Sequence, residues 1–270
     1  MADFSACFLL VFGQLAVGGL VALAVPPFAV LERGFYKSSA GVFLASGAAY
    51  VAARVALAFR PTPVRFTPSE IVLWGGFLVA ATVYLWSLWG DARGLRARAY
   101  ATALLLGVGA LAASARVYGA AAPFPAARLL YPVAFLTGAL VLGAVATGML
   151  LGHWYLIDLG LSIEPLRRLF RYFVGTVLIH GAVLALTVLA VTLGGRDAAA
   201  ASLWQDHAAL LALRVLLGPL AALGLGLMIR RTLQIPQTMA ATGLFYIAIL
   251  FVLVGEILGR FLLFRTALPL

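Results

Sequence analysis

Charged side chains are the scarcest feature of this sequence. Only 10% of its 270 residues are charged, whereas about 25% is usual in a soluble domain. Hydrophobic residues make up 64% of the chain, well above the usual level of about 45–50%. So few polar side chains cannot cover a surface that faces water. The composition therefore excludes a soluble globular protein and predicts a chain that lies mostly in lipid.

Residues that could hold a metal or a haem are also rare. The single cysteine, Cys7, excludes an internal disulfide and any iron–sulfur cluster or zinc site held by cysteines. The three histidines, His153, His180 and His207, fall at three different depths of the predicted helices, which argues against a haem held between two of them. No Walker loop, nucleophile elbow or GxGxxG motif occurs. We therefore expect no haem or metal of the chain's own and no independent redox or hydrolytic chemistry.

Long apolar runs fill most of the sequence. Eight of them are close to the ~20 residues that cross a bilayer as an α-helix, and they are continuously apolar rather than alternating as barrel strands do. The sequence thus predicts an all-α integral membrane protein, a single domain 1–270 folded as an eight-transmembrane-helix bundle. The predicted helices cover residues 8–30, 38–59, 71–90, 99–119, 129–152, 172–193, 207–228 and 240–262.

Arginine dominates the charge and predicts the orientation. The net charge is +10, but the basic residues are spread through short loops, so they favour membrane orientation over nucleic-acid binding. Ten basic residues fall in the loops after the first, third, fifth and seventh segments, and five in the opposite loops and tail. This bias predicts that the first set is cytoplasmic and that both termini are extracytoplasmic. The five in the second set are Arg60, Arg65, Arg128, Arg196 and Arg265.

The longest predicted cytoplasmic loop runs from His153 to Arg171. It contains two aromatic residues, Trp154 and Tyr155, followed by an arginine-rich stretch. Two interpretations are open. The loop is an interfacial amphipathic turn with aromatic anchors, or it is a docking surface for a cytoplasmic partner.

Five ionisable residues lie inside predicted helices, where each costs at least ~2.5–3.5 kcal/mol near the helix centre. By the predicted topology all five, and Gln14 with them, fall in the outer half of the bilayer. Two interpretations follow: an ion-pair network that joins the helices, or a polar cavity open near the outer face. Arg116 and Arg260 are shallow enough to reach water along the helix, whereas Glu256 and Arg260 are spaced to pair on one helix face. The five residues are Arg54, Arg116, Arg214, Glu256 and Arg260.

Two further residues have a structural and a functional interpretation each. Glu70 follows Thr67-Pro68-Ser69 at the start of the third segment, where an acid stabilises a helix N-terminus. It could equally carry a proton at the mouth of an outer cavity. His180, inside the sixth segment, is either a hydrogen-bonded packing residue or part of a proton route from the cytoplasm.

Three short motifs resemble the membrane-anchor subunits of the DMSO reductase and polysulfide reductase (NrfD-like) family. Phe12–Gly19 resembles the first-helix motif of that family, Arg116–Tyr118 an Arg-Val-Tyr in its fourth helix, and Gly255–Phe261 a Gly-Glu-x-x-Gly-Arg motif in its last helix. The expected count of eight helices is also similar. The quinol-interacting subunits of larger iron–sulfur complexes share this wider fold.

The resemblance implies a function and a set of site residues. Such anchors lie in the bacterial inner membrane and bind a quinone, menaquinone or ubiquinone, near the outer face. They do so beside an extracytoplasmic iron–sulfur subunit that exchanges electrons with a catalytic redox subunit. On this basis Glu70 and Glu256 are expected to handle protons, and Gln14, Arg116, Tyr118 and Arg260 to bind the quinone. The buried charges of the predicted helices add Arg54 and Arg214 to the expected quinone-binding residues, and His180 remains the candidate for a proton route.

One stretch departs from the family pattern. The family often has a His-Leu-Gly-x-Pro stretch after its second helix, with the histidine near the quinone, whereas Phe59–Pro63 here lacks a histidine. The departure favours an alternative function, a structural anchor that has lost quinone binding. A small-anion transporter with the buried arginines as its site is a third possibility.

Overall fold

The computed structural model describes residues 2–59, 67–119, 127–158, 160–194, 198–235 and 237–270. The described residues form helices and connecting turns, with no strand among them. The predicted breaks around Arg60–Pro63, Arg65, Pro123–Pro125 and Arg196 lie outside the described residues. The helices are α1 (Ala2–Ala22), α2 (Arg33–Ala58), α3 (Pro68–Ser87), α4 (Arg93–Gly119), α5 (Ala127–Ile157), α6 (Glu164–Gly194), α7 (Ala198–Asp206), α8 (Ala208–Val215), α9 (Ala221–Gln234) and α10 (Thr238–Thr266).

The helices confirm an all-α, multi-pass membrane protein. Within the described residues, seven helices are long and apolar enough to cross a bilayer, if α8 and α9 are taken as one helix from Ala208 to Gln234. In α1 the apolar part is shorter and runs from Cys7 to Ala22. The count of eight spans and the sides on which the termini lie therefore stay predictions.

Two predicted boundaries were wrong. The first segment was expected to reach residue 30, but α1 ends at Ala22 ahead of Pro26 and Pro27, which cannot continue a helix. The loop expected from His153 to Arg171 is also much shorter. Because α5 continues to Ile157 and α6 already begins at Glu164, most of its arginines and aromatics are helical.

Helix α5 forms the centre of the bundle. Two thirds (67%) of its apolar window is buried, the largest share of any candidate span. It packs against α1 so closely that a Cβ atom on Gly143 would lie 2.0 Å from the backbone of Gly18. Small residues that let backbones meet are typical of helix pairs in membranes, where van der Waals packing replaces the hydrophobic effect.

A π-helical segment, Leu216–Leu220, joins α8 to α9. It contains Pro219, which has no N–H to donate and so breaks the regular α-helical hydrogen bonding. The wider turn lies against α10, where a Cβ atom on Gly255 would come within 2.7 Å of the Gly218 Cα. The two glycines therefore let the π segment touch the helix that carries Glu256.

Candidate functional site

Two buried polar clusters lie inside the bundle, and each is built around one glutamate. The first, called the Glu256 cluster, contains Thr137, His180, Arg214, Glu256 and Arg260. The second, called the Glu70 cluster, contains Tyr50, Arg54, Thr67, Glu70, Trp74 and Ser114.

Helix position brings the Glu256 cluster together. Glu256 and Arg260 lie on the buried face of α10. Arg214 lies in the last turn of α8, and His180 lies near the middle of α6. Arg214 Nη2 donates to Glu256 Oε1 at 2.6 Å, and Arg260 Nη2 reaches the other carboxylate oxygen at 3.3 Å. Both arginines are almost fully buried, at 1% and 0% exposure for Arg214 and Arg260. The interpretation that Arg260 reaches water along its helix is therefore wrong.

The imidazole of His180 completes the contact between Arg214 and Glu256. His180 Nε2 lies 2.8 Å from Glu256 Oε1 and 2.6 Å from Arg214 Nη2. The hydroxyl of Thr137 donates to the Val133 carbonyl at 2.9 Å and lies 2.9 Å from His180 Nδ1. A proton on Nε2 donates to the Glu256 carboxylate, since two bare acceptors do not lie 2.8 Å apart.

His180 lies at a level that the sequence did not predict. It was expected in the cytoplasmic half of the sixth segment, away from the ionisable residues of the outer half. Its contacts with Arg214 and Glu256 place all three at one level. Because α6 begins at Glu164 rather than at 172, His180 is farther from the helix start than the sequence suggested. The expected separation of His180 from Arg214 and Glu256 was thus wrong, and its role in proton transfer stays a prediction.

Gln14 and Gly138 lie at the edge of the Glu256 cluster. Gln14 Nε2 donates to the Phe135 carbonyl oxygen at 2.9 Å, and the Phe135 ring lies under the Arg260 guanidinium with 4.4 Å between them. A Cβ atom on Gly138 would lie 2.4 Å from Glu256 Oε2 and 2.7 Å from Gln14 Nε2. The glycine therefore gives Gln14 and Glu256 the space to lie side by side.

The Glu256 cluster is closely packed. The cavity beside it has a volume of about 10 Å³, room for about one water molecule. With His180 neutral, two arginines face one glutamate, and several of their donors, together with Gln14 Oε1, have no hydrogen-bond partner among the described residues. Of the two interpretations from sequence, this geometry matches the ion-pair network. The partnerless atoms are Arg214 Nε, Arg260 Nε, Arg260 Nη1 and Gln14 Oε1.

The Glu70 cluster begins at a helix cap. Thr67 is the N-cap of α3 and forms a capping box with Glu70. Pro68, the next residue, occupies the first helical position, where its missing N–H costs nothing. Glu70 Oε2 accepts from the backbone N–H of Thr67 at 2.9 Å and from its hydroxyl at 3.1 Å. The structural interpretation of Glu70 as an N-terminal helix acid is therefore what the geometry shows, and its proton-carrying role stays a prediction.

The other carboxylate oxygen of Glu70 joins three helices. Ser114 of α4 donates to Glu70 Oε1 at 2.8 Å, and Arg54 Nη2 of α2 lies 3.4 Å from the same oxygen. The indole N–H of Trp74 donates to the Ser114 hydroxyl at 3.1 Å. Glu70 and Arg54 are only 1% and 4% exposed, so the pair is held in a low-dielectric interior.

A groove of about 510 Å³ opens beside the Glu70 cluster, between α3 and α4. Its polar lining is Thr67, Ser69 and Arg116, and Arg116 is exposed. Thr67 lines this α3/α4 groove, and its hydroxyl donates to the buried Glu70 carboxylate. The groove is within the range of about 300–1,000 Å³ that small-molecule sites occupy.

Tyr118 lies between the two clusters. Its ring centroid is 5.9 Å from that of Phe135, the ring under Arg260, and it is within electrostatic range of Arg54 and Glu70. The predicted site residues therefore form two groups joined through Tyr118 and Phe135. Arg116 lies apart, on the groove.

The sequence missed several members of these groups. Thr137, Ser114 and Trp74 are ordinary residues of apolar helices, and only the partners across helices give them a role. For Thr137 and Ser114, the signal in the sequence was a polar residue inside a long apolar run. Across the part of the chain that the structure describes, no three His, Cys, Asp or Glu side chains gather as metal ligands would.

No protein-family model, curated protein or solved structure matches this chain. The resemblance to anchor subunits therefore rests on the three motifs alone. It enters below as part of a proposal.

Proposed function

We propose that this chain is the membrane anchor and quinone-interacting subunit of a multi-subunit redox complex in the bacterial inner membrane. The observation that carries the proposal is Thr67, which lines the α3/α4 groove and contacts the buried Glu70 carboxylate through its hydroxyl. A headgroup in the groove is thereby one hydroxyl away from a carboxylate that can accept a proton.

The chain's own residues supply binding and proton handling. The exposed guanidinium of Arg116 can donate hydrogen bonds to a quinone carbonyl or quinol oxygen in the groove. One quinol proton passes through Thr67 to Glu70, while Arg54 stabilises the carboxylate before it is protonated. Oxidation of a quinol to a quinone releases two protons and two electrons, and the second proton leaves to water at the mouth of the α3/α4 groove. We assign the electrons to a partner subunit with an iron–sulfur cluster, next to a catalytic redox subunit.

The Glu70→Gln variant tests the proposal in the assembled complex. Glutamine keeps the size of the side chain and one acceptor oxygen but accepts no proton, so quinol oxidation should fall by about 100-fold or more. The matched control is Glu164→Gln, since Glu164 is a half-exposed carboxylate in surface ion pairs with Arg168 and Arg171. Unchanged turnover of the Glu70→Gln complex, with normal subunit assembly, would refute the quinol site.

Arg116 tests substrate binding separately from proton transfer. The Arg116→Gln variant should raise KM for quinol more than it lowers kcat, because the guanidinium binds the headgroup in both states. Arg128→Gln is the control, since Arg128 is also exposed but does not line the groove. A KM equal to that of the control would contradict the assignment of the groove.

A structural anchor without quinone binding is the second candidate. The observation that favours it is the closed Glu256 cluster, which holds two of the expected quinone-contacting side chains, Arg214 and Arg260, beside a space for about one water. Normal assembly with no quinol activity in the wild-type complex would support this candidate. The transporter has less support, since only one π-helical break occurs in the described helices, whereas broken helices in transporters commonly come in pairs.

A further inference from the structure

A second large pocket lies at the opposite end of the bundle from the α3/α4 groove. It has a volume of about 680 Å³ and lies where α1 ends, α2 begins, α3 ends and α4 begins. Its lining includes three arginines and three tyrosines, and no acidic residue. These are Arg33, Arg93, Arg96, Tyr36, Tyr84 and Tyr100. We call it the α1–α4 pocket.

The arginines of this pocket are incompletely neutralised. Arg33 pairs with Asp91 at 2.6 Å. The hydrogen bond from Arg33 lowers the pKa of the Asp91 carboxyl below its ordinary value. The pair therefore stays ionised at a lower pH than a free aspartate would. Arg93 and Arg96 form no ion pair among the described residues. The pocket thus has a surplus of about two positive charges, by the count of three arginines against one aspartate.

Arg96 is the residue that distinguishes this pocket from an ordinary basic surface. It is only 8% exposed, its Nη2 donates to the Gly90 carbonyl at 2.7 Å, and its guanidinium lies 5.1 Å from the centre of the Phe28 ring. Its Nε–H is buried and has no partner among the described residues. A guanidinium that is held in place by the fold and has no anionic partner is suited to an anion with several acceptor oxygens.

The pocket wall is braced by hydrogen bonds. Tyr36 donates to the Pro26 carbonyl and Tyr100 to the Leu20 carbonyl, which fixes the turn after α1 against α2 and α4. The rings of Tyr84 and Tyr100 pack with centroids 4.8 Å apart. The pocket is therefore formed by the fold itself rather than by side chains extended into solvent.

Aromatic residues place the pocket at the depth of lipid headgroups. Trp86 and Trp89, at the end of α3, are 70% and 62% exposed, and exposed tryptophans concentrate at membrane–water interfaces. Lys37 lies over the Trp89 ring at 4.6 Å. A phospholipid that enters the pocket from the headgroup layer carries both a phosphate group and acyl chains.

We propose that the α1–α4 pocket binds the phosphate group of an acidic phospholipid headgroup, with Arg96 and Arg93 as its principal ligands. The apolar part of the pocket, which includes Leu23 and Phe28, lies beside the glycerol and upper acyl chains. Such a lipid would join the ends of α1 to α4 at the face opposite the proposed quinol site. The proposal does not depend on the quinone function.

Native mass spectrometry of the purified full-length chain in detergent tests the site. The probes are phosphatidylglycerol and phosphatidylcholine with the same acyl chains, so the two differ in headgroup charge. Each basic residue near the headgroup layer changes binding by about fivefold. We expect phosphatidylglycerol to bind about tenfold more tightly or better, and Arg93→Gln to reduce that preference about fivefold.

Two variants and one competitor make the test specific. Arg96→Gln should remove most of the preference. Because Arg96 also holds backbone carbonyls at the end of α3, the exposed Arg93 provides the variant that leaves the fold intact. Arg98→Gln, on the same helix but outside the pocket, should change the preference less than about twofold. Equal binding of both lipids, or equal losses in Arg93→Gln and Arg98→Gln, would overturn the site. Displacement of the lipid by millimolar glycerol phosphate would overturn the lipid assignment in favour of a soluble phosphate ester.

Discussion

The Glu256 cluster and the Glu70 cluster use the same chemistry in different surroundings. Each pairs a buried glutamate with arginine from another helix. Glu256 is enclosed by two arginines and a histidine beside a cavity of about 10 Å³. Glu70 faces one arginine and reaches, through Thr67, a groove of about 510 Å³. Buried ion pairs alone therefore do not identify a binding site. Access to a cavity distinguishes the two.

The comparison assigns different tasks to the two carboxylates. The Glu256 carboxylate neutralises positive charge in the core, since removing it leaves two arginines buried without their shared counterion. The Glu70 carboxylate has hydrogen bonds from Thr67 and Ser114 in addition to Arg54. A neutral side chain of the same shape can keep several of these contacts. Stability should therefore respond more to Glu256, and quinol turnover more to Glu70.

The largest stability effect is expected for Glu256→Gln. Breaking a buried ion pair by removing one partner costs about 3–5 kcal/mol, so the variant should unfold at much lower denaturant concentration or fail to accumulate in the membrane. Detergent-solubilised unfolding of wild type and variant measures the change. Glu164→Gln is again the control, because exposed pairs contribute about 1 kcal/mol or less. Equal stability of Glu256→Gln and this control would remove the distinction between the clusters.

A smaller loss is expected for Gly138→Ala. The added methyl group would lie 2.4 Å from Glu256 Oε2 and must displace it, at a cost of about 1–3 kcal/mol typical of overpacking. Gly175→Ala is the matched control, since a Cβ atom there meets nothing within 4 Å. The control should be neutral or slightly stabilising because alanine favours a helix. A loss in both variants would mean that the space at Gly138 is not needed by the Glu256 cluster in particular.

The smallest stability change, with the clearest functional one, is expected for Thr67→Ala. Loss of the N-cap costs about 1 kcal/mol, while loss of the hydroxyl removes the contact from the groove to Glu70 and should slow quinol oxidation at least tenfold. Thr82→Ala is the control on the same helix, because its exposed hydroxyl only bonds back to the Leu78 carbonyl. Similar turnover in the two variants would separate Glu70 from the groove.

The sequence predicted the residue types of the site better than their arrangement. Hydropathy was sufficient for the helical membrane fold, and the high cost of charge in lipid singled out Arg54, Arg214, Glu256 and Arg260. The i, i+4 spacing also predicted the contact between Glu256 and Arg260. Depth was less reliable, because it was counted from helix ends that proved wrong for α1 and α6.

The division into two clusters depends on contacts between helices, which one sequence does not specify. Gln14 and Glu256 are far apart in the chain, and both border the space that Gly138 leaves by having no side chain. Thr67 connects the groove to Glu70 through a capping box, and the Thr-Pro-Ser-Glu stretch did predict a helix start there. The groove itself results from the packing of α3 on α4.

The π-helical segment determines which way Arg214 points. An α-helix turns about 100° per residue. A π turn contains one extra residue, so it rotates the side chains that follow it about the helix axis relative to the side chains that precede it. Arg214 lies before this segment, and the inward residues Ala222, Gly226, Ile229 and Leu233 follow it. Deleting Leu217 alone would remove the extra residue of this turn and leave the Arg214 guanidinium and the inward face of α9 out of phase. The broad turn around Pro219 thus rotates α9 relative to α8. This rotation allows a single span to turn both Arg214 and the inward residues of α9 towards the interior of the bundle.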